Sequence, residues 1–223
     1  MTPQTASYTE LIERMTPETT LTMRDVSWQT YEDLLEEVGE APALRISFND
    51  GVLQIMTVSF EHEYFSEVLD QLVGRLSQIA RIKILFFGRA TMKTQKKMKG
   101  SEPDACFYVQ SAPLIGNRFR LDLNSDPAPD IVVEVDIHHD SLSKFPIYAA
   151  LGVSEIWHYN GNRLSIHQLR EERYEEIETS PALPILTASV LTRFLKLSEE
   201  EDQYETMLAF EEWLRAQPQL KLT

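Results

Sequence analysis

Two Pro-Asp dipeptides each stand directly before an apolar run that is typical of a β-strand. They are Pro103-Asp104, before the residues ACFYV, and Pro129-Asp130, before IVVEV. A proline at the first position of a strand costs no ladder hydrogen bond, so both dipeptides fit strand starts. Because side chains alternate along a strand, Asp130, Glu134 and Asp136 share one face of the second strand, and the other face is apolar throughout.

Carboxylates placed within an apolar strand are costly unless a partner compensates their charge. Mg²⁺ does this well, because it prefers carboxylate and water oxygens as ligands. The simpler interpretation is that each acid lies at a strand end and faces water. For Asp104 and Glu134 together, on two apolar strands that we expect to be neighbours, a cation site is the better explanation.

Lys144 lies on the helix predicted at Leu142–Leu151, directly after the acidic strand. A helix that returns from the end of that strand can hold an ammonium group over the carboxylates. The alternatives are a solvated lysine, as most helical lysines are, or a weak helical ion pair with Asp140 four positions earlier. His138 and His139 are interpreted as a loop feature, since a histidine pair without further clustered ligands is a weak metal signal.

Three further polar residues, Glu61, His62 and Glu63, open the longest predicted helix, Glu61–Ala80. Acids in the first turn complement the helix dipole, which is the structural explanation. The functional alternative is that one of the three reaches the metal or its water.

The sequence lacks the motifs of several other kinds of site. It has no HExxH or cysteine-rich zinc pattern, no GxxxxGK[ST] phosphate loop and no GxGxxG dinucleotide motif. No serine lies in a GxSxG context, so a nucleophile elbow of that kind is excluded. The acidic cluster is therefore the candidate for chemistry.

The elements that must position this cluster follow from the apolar periodicity. Helices are expected at Ser27–Val38, Glu61–Ala80, Leu142–Leu151, Thr187–Leu195 and Tyr204–Leu214. Strands are expected at Leu44–Phe48, Val52–Met56, Ile82–Phe87, Ala105–Val109, Ile131–Val135, Ile156–Tyr159 and Leu164–Leu169. Asn49-Asp50-Gly51 marks a hairpin between the first two strands. Consecutive strands followed by a helix-to-strand crossover predict an α/β fold with a mixed sheet.

The chain has 223 residues and 43% apolar content, enough for one domain with a real core, and no linker or repeat divides it. Its net charge of −14 argues against a protein that coats nucleic acid without specificity. The basic residues are unevenly placed, however, and the stretch from Arg81 to Lys99 contains no acid. Lys93, Lys96, Lys97 and Lys99 in this stretch form either a solvated face or a local basic groove.

Nothing in the sequence predicts export or membrane insertion. No apolar run approaches the roughly 20 residues that span a bilayer, and the first residues lack the basic and apolar regions of a signal peptide. Cys106 is the sole cysteine, so no internal disulfide can form, and we expect it to be a small buried residue. We expect a cytoplasmic protein.

Four phrases of the sequence, SFEHEYF, EPDACFYV, PDIVVEVD and SKFPIYAALGVSEIWHYNG, resemble the bacterial Uma-two family of restriction-endonuclease-like proteins, within the PD-(D/E)XK nuclease superfamily. The resemblance spans roughly Thr22 to Leu195. It implies a single domain, 1–223, with a restriction-endonuclease-like core at 61–170. An N-terminal helix and hairpin at 1–60 and a C-terminal strand and helices at 171–223 would flank that core.

By position, the resemblance implies that Asp104 and Glu134 hold one Mg²⁺ or Mn²⁺ ion. The superfamily's lysine two places after the acid is missing, and Asp136 stands there. Lys144 on the following helix would take over the role of that lysine. Asp130 would order the site or supply another ligand.

The implied activity is metal-dependent hydrolysis of phosphodiester bonds, with nucleic acid, DNA in the first place, as the partner. The lysines from Lys93 to Lys99 lie just upstream of Asp104, where contacts to a phosphate backbone would be useful. The sequence does not fix the strandedness of the substrate or the choice between DNA and RNA, and a homodimer stays open.

Two other classes of function also stay open. A non-catalytic binding or interaction protein can retain a nuclease fold, and the net charge and the missing strand lysine favour this alternative. A metal-dependent hydrolase that acts on another phosphoester is the third.

Overall fold

A computed structural model of the chain describes residues 12, 14–39, 43–137 and 144–220. Over these ranges the predicted α/β fold is confirmed, with α-helices packed around two β-sheets. The helices are α1 (Trp28–Val38), α2 (Phe60–Ala80), α3 (Ala112–Ile115), α4 (Phe145–Leu151), α5 (Ala188–Glu200) and α6 (Gln203–Ala216). His138, His139, Asp140 and the first residues of the helix predicted at Leu142–Leu151 lie outside the described residues.

The strands fall into two sheets, which we call the N-terminal sheet and the central sheet. The N-terminal sheet is antiparallel, in the order β1-β3-β2-β6-β5, with β1 (Thr20–Met23), β2 (Leu44–Asn49), β3 (Val52–Thr57), β5 (Met92–Thr94) and β6 (Lys99–Ser101). The central sheet has the order β11-β10-β9-β8-β7-β4, with β4 (Leu85–Phe86), β7 (Ala105–Tyr108), β8 (Ile131–Val135), β9 (Glu155–Tyr159), β10 (Leu164–Arg170) and β11 (Arg173–Ile177).

The central sheet is mixed, as the sequence predicts. The strands β8 and β9 are parallel and α4 makes the crossover between them, whereas the other neighbouring strands are antiparallel. Its two faces are covered by different helices. Leu72 and Leu76 of α2 and Phe210 of α6 pack with Val133 on one face, and α4 packs on the other. A side chain on either face of β8 is therefore buried.

The predicted hairpin is confirmed, and its turn shows why the sequence needs Asp50-Gly51. Both residues have positive φ angles, 47° and 85°, as a two-residue hairpin turn of the tight type requires. The turn aligns β2 with β3, and α1 covers this pair through Tyr31 and Leu34. This alignment places Arg45 on β2 opposite Met56 on β3.

The helix α2 begins at Phe60, one residue before its predicted start, because the Ser59 side chain accepts a hydrogen bond from the His62 N–H. The strand predicted at Ile82–Phe87 is wrong in extent, since only Leu85–Phe86 is a strand. Arg81 takes a left-handed conformation at the helix end, and the Ile82 N–H bonds back to the Ser77 carbonyl at 3.1 Å. Arg81 and Ile82 therefore end the helix and do not belong to the strand.

Near the C-terminal end, the bounds of two helices differ from the predicted ones. The helix α5 continues past Leu195 to Glu200, so the acidic segment is partly helical. Asp202 then starts α6 by accepting a hydrogen bond from the Glu205 N–H at 2.9 Å. Only a sharp turn between α5 and α6 remains, and both helices can pack on α2.

Candidate active site

Asp104 lies at the start of β7, and its side chain is almost fully buried. Its Oδ1 atom accepts a hydrogen bond from Arg45 Nε at 2.6 Å, and its Oδ2 atom accepts one from the Val135 N–H at 2.8 Å. Ser66 Oγ on α2 donates to the Asp104 carbonyl at 3.1 Å. Groups from β2, β8 and α2 therefore hold this residue where the two sheets meet.

Sequence reasoning misses Arg45. Its guanidinium is buried and also donates to Glu63 Oε1 at 2.6 Å and to the Leu44 carbonyl at 2.9 Å. Arg89 forms an ion pair with the other oxygen of Glu63. In the sequence Arg45 sits in an ordinary alternating strand, and only the tertiary neighbours show that its face is buried against an acid.

Glu134 is on β8, on the face that α4 covers, and it is fully buried. Lys144 Nζ donates to its Oε2 atom at 2.7 Å, and the Tyr148 hydroxyl donates to its Oε1 atom. Lys144 and Tyr148 are four residues apart at the start of α4, a spacing that puts them on one side of a helix. Ser101 Oγ on β6 donates to the Tyr148 oxygen at 3.0 Å, which ties the two sheets together at this point.

Lys144 and two neighbouring acids set the electrostatics around Glu134. Burial raises the pKa of Glu134; Lys144 opposes this, and the like charges of Asp104 and Asp136 add to it. Burial lowers the pKa of Lys144, but Glu134 and Asp104 outweigh that effect, so its pKa is raised and it stays cationic. Lys144 therefore compensates part of the charge around Glu134, whereas Arg45 compensates Asp104 and His158 contacts Asp136.

His62 and its neighbours on α2 complete the other side of Asp104. Burial raises the pKa of Asp104, but His62 and Arg45 outweigh it and hold that pKa below its usual range. His62 Nε2 lies 3.1 Å from Asp104 Oδ2. Glu63 contacts Arg45, as described above, whereas Glu61 is exposed at the helix start. Of the three predicted supporting residues, His62 therefore lies nearest to the acids.

Asp136 takes the position of the missing strand lysine, and its partner is a histidine. His158 Nε2 on β9 lies 2.6 Å from Asp136 Oδ2. The residue paired with His158 across the parallel strands is Glu134, so this imidazole stands beside the buried acid. The ring of Phe145 packs edge-on against His158, with 6.0 Å between ring centroids. Asp136 is therefore held away from open solvent by its own neighbour.

Asp130 is not brought into this cluster. Its Oδ2 atom accepts hydrogen bonds from the Val109 N–H at 2.7 Å and the Ser111 N–H at 2.9 Å, and its Oδ1 atom accepts from Ser111 Oγ at 2.8 Å. It shares a strand face with Glu134, as predicted, but four extended residues separate their Cα atoms by about 13 Å. The structure places Asp130 at the far end of β8, where it fixes the loop after β7.

Comparison with known proteins decides the family. The model of the Uma2 family, described as "Putative restriction endonuclease", matches residues 28–198. The chain belongs to the Uma2 family. This is the Uma-two family that the four sequence phrases resemble, so that prediction is confirmed. A search of the curated proteins finds no match.

A solved structure from Anabaena variabilis ATCC 29413, described as "a putative nuclease belonging to DUF820", has a similar fold. The TM-score is 0.51 at 14% sequence identity, and the match covers 73% of this chain and 97% of that chain. At this identity the likeness speaks for the fold. The predicted restriction-endonuclease-like fold is confirmed for this Uma2 member.

Four lysines of the basic stretch, Lys93, Lys96, Lys97 and Lys99, lie on the hairpin of β5 and β6, which sequence reasoning misses. Lys93 pairs with Glu32 on α1, Lys99 with Asp50 in the hairpin turn, and Lys97 Nζ donates to the Ala150 carbonyl at the end of α4. Lys96 is exposed. In this Uma2 protein the stretch is thus largely tied to its own fold, and Ser101 in the same hairpin touches Tyr148.

Asp104 and Glu134 are the residues of this Uma2 protein that would hold a divalent cation. Each carboxylate offers about four lone-pair positions. Asp104 uses two of them for Arg45 and Val135, and Glu134 uses two for Lys144 and Tyr148. Within the described ranges, no three His, Cys, Asp or Glu side chains form a ready cage for a metal. Waters would complete the ligand shell, as they usually do for Mg²⁺.

Proposed function

We propose that this protein is a metal-dependent endonuclease that hydrolyses phosphodiester bonds in nucleic acid, with DNA as the first substrate to test. The proposal is carried by one observation, a fully buried Glu134 held by Lys144 and Tyr148 beside a second buried acid, Asp104. Buried charges of this kind cost stability and are typical of functional sites. Membership of the Uma2 family supports the same class of activity.

The residues of the site would have the following roles. Asp104 and Glu134 would hold Mg²⁺ or Mn²⁺, which when bound lowers the pKa of a coordinated water and polarises the phosphate. Arg45 keeps the Asp104 carboxylate in one orientation. Tyr148 holds one oxygen of Glu134, and Lys144 brings an ammonium group to the place where negative charge grows on the phosphate oxygens.

The proposal includes a cytoplasmic location and nucleic acid as partner. The unpaired and buried Cys106 supports a reducing compartment. Over the described residues, no helix has the length and apolar character needed to cross a membrane. The exposed Lys96 is the best placed of the four hairpin lysines for a phosphate contact, since the other three have internal partners.

The test is cleavage of labelled single- and double-stranded DNA with Mg²⁺ or Mn²⁺. Glu134→Gln removes the charge and keeps the shape, so it should abolish cleavage and leave binding largely intact. The matched control is Glu155→Gln on β9. Glu155 is also buried, but it accepts its hydrogen bonds from the Trp157 ring and the Ala182 N–H. Its variant should cut at close to the wild-type rate when folded.

The second candidate is a binding module that keeps the fold without catalysis. Two observations favour it: the net charge of −14, and the pairing of Lys93, Lys97 and Lys99 with groups of the protein itself. Absence of metal-dependent cutting on every substrate would select this alternative. Cutting that survives Glu134→Gln would place the active site elsewhere.

A further inference from the structure

Arg89 is a partly exposed arginine at the edge of the candidate site, and the roles proposed above do not use it. Its side chain is 33% exposed, and its guanidinium forms an ion pair with Glu63 Oε2. The other oxygen of Glu63 accepts a hydrogen bond from Arg45, which in turn donates to Asp104. Three consecutive contacts between charged groups therefore connect Arg89 to the buried Asp104 carboxylate.

A tight turn between β4 and β5 carries Arg89. The Ala90 N–H bonds to the Phe87 carbonyl at 3.2 Å, which closes the turn. Gly88, directly before Arg89, has a positive φ angle of 53°, a conformation that glycine adopts without steric cost. The backbone at Arg89 thus has a defined conformation.

This turn is attached on both sides to the segment that contains Asp104. The Phe87 N–H bonds to the Cys106 carbonyl at 3.1 Å, and Thr91 Oγ1 donates to Glu102 Oε1 at 2.8 Å. Glu102 and Cys106 stand on the two sides of Asp104 in the sequence. The turn is therefore fixed beside the acid, and the ion pair with Glu63 directs the guanidinium toward the site.

The charges around Arg89 leave it able to bind an anion. Arg45 and Lys144 are buried, and each donates to a buried carboxylate. Burial and the like charge of Arg45 lower the pKa of Arg89, and Asp104 opposes them. A guanidinium has five N–H donors, and the ion pair with Glu63 engages one of its nitrogens. Donors therefore remain for two oxygens of one phosphate, which arginine binds in a bidentate way.

From this placement we infer that Arg89 binds a backbone phosphate of the nucleic acid beside Asp104, and that Glu63 holds the Arg89 guanidinium in position for it. The inference rests on the proposed function and deepens it, because it assigns a substrate contact at the same site. A phosphate that approaches Asp104 and Glu134 is repelled by two acids, and a partly exposed cation beside them offsets part of that repulsion. A phosphate contact carries no sequence information, so Arg89 acts on all sequences alike.

The experiment measures the affinity for short labelled DNA over a range of salt concentrations, with the full chain in the Glu134→Gln background, in which no cutting occurs. Arg89→Gln should weaken binding by about tenfold on every sequence and reduce the slope of log affinity against log salt by about one, because one phosphate fewer is neutralised. Arg89→Lys keeps the charge, so it should restore the slope while the affinity recovers only in part.

The control is Arg75→Gln. Arg75 is also a partly exposed arginine on a glutamate, Glu211, but it lies about 18 Å from Glu63 along α2. Its variant should bind DNA with unchanged affinity and unchanged slope. A fall in affinity that is equal in both variants would mean that net charge alone sets the affinity, and it would overturn the assignment to Arg89.

A second measurement needs no substitution at Arg89, so it holds even if Arg89→Gln fails to fold. Phenylglyoxal modifies accessible arginines, and mass spectrometry reads the extent at each one. Bound DNA should protect Arg89 and leave Arg75 as reactive as before. Unchanged affinity and slope in Arg89→Gln, or an Arg89 that stays reactive under bound DNA, would overturn this inference and leave the proposed nuclease intact. Protection of Arg89 without metal-dependent cutting of any substrate would support the contact and remove the proposed catalysis.

Discussion

The two ends of β8 hold buried acids in different ways. At one end, Asp130 is satisfied by the Val109 N–H and by the N–H and hydroxyl of Ser111, which lie close together in the sequence. At the other end, Glu134 is satisfied by two side chains, Lys144 at the N-cap of α4 and Tyr148 within α4. Both acids are buried, so burial alone does not separate them.

The difference lies in what each arrangement costs. Backbone donors are ordered by folding in any case, so the hydrogen bonds to Asp130 need little further ordering. Lys144 must lose water and side-chain freedom to meet Glu134 in the interior. A strand that only had to fold would be served by the first arrangement at both ends. The type of partner therefore distinguishes a structural acid from a candidate catalytic one.

The largest expected effect comes from the same substitution, aspartate to asparagine, made at Asp104 and at Asp130. Asp104→Asn should lower the cleavage rate by about 10³-fold or more, since a metal ligand contributes several kcal/mol to the transition state. Asp130→Asn should leave the rate per folded molecule within about twofold. It should lower the free energy of unfolding by about 1–2 kcal/mol, because charge-assisted bonds to the loop are weakened. Cleavage kinetics and urea unfolding measure the two quantities.

Circular dichroism before each assay shows that both variants are folded. The distinction between a structural Asp130 and a catalytic Asp104 would be wrong if Asp130→Asn lost cleavage as strongly as Asp104→Asn while remaining folded. Asp130 would then belong to the active site in spite of its distance from Glu134.

The strand positions of Asp104 and Glu134 were predictable from the sequence because local rules describe them. A proline before an aspartate marks the strand start, and alternation in β8 puts Glu134 on a polar face. Arg45 and Tyr148 were not predictable in the same way. Each looks ordinary in its own strand or helix, and its meaning comes from a residue far along the chain: Asp104 in one case and Glu134 in the other.

The helices and strands also divide into those that local sequence predicts and those that depend on distant residues. The long helices and central strands follow from strong apolar periodicity, and the turn at Asp50-Gly51 from its residue types. The strands β1, β5 and β6 have three or four residues each, too few to show a period, and they exist because they pair with neighbours in the N-terminal sheet. Short strands of this kind depend on tertiary pairing more than on their own sequence.

A smaller effect is expected at Asp136, whose Oδ2 atom lies 2.6 Å from His158 Nε2. His158→Asn would remove the ring that occupies the Asp136 carboxylate beside Glu134. An acid left without this partner would repel a phosphate, so affinity for uncut DNA should fall by about tenfold, or roughly 1.4 kcal/mol. Binding is measured with the Glu134→Gln background, in which no cutting occurs.

The double variant His158→Asn with Asp136→Asn sharpens this prediction. If the histidine acts only by occupying Asp136, removal of the acid should restore most of the affinity. A double variant that binds as weakly as His158→Asn would mean that the imidazole itself contacts the nucleic acid.

Asp70 on α2 is a third kind of acid, a half-buried one whose buried Oδ1 atom has no hydrogen-bond partner among the described residues. Burial, with Glu67 adding like charge, raises the pKa of Asp70 to about 6. The unfolded chain should keep the ordinary value near 4. Between about pH 4 and pH 6 the folded state therefore holds more protons than the unfolded state, and the free energy of unfolding should fall as the pH rises through this window.

The smallest expected effect is the loss of this pH dependence in Asp70→Asn. Relative to the wild type, the variant should gain about 1–3 kcal/mol as the pH rises from 4 to 6, and nothing further above pH 6. Differences between two proteins isolate the one carboxyl group from all others that titrate in this range. The control is Asp33→Asn, an exposed acid on α1 that should show no such gain. Parallel curves for Asp70→Asn and wild type would mean that Asp70 is ionised at little cost, with water as its partner. Asp70 would then no longer be an example of an acid that is buried without a hydrogen-bond partner.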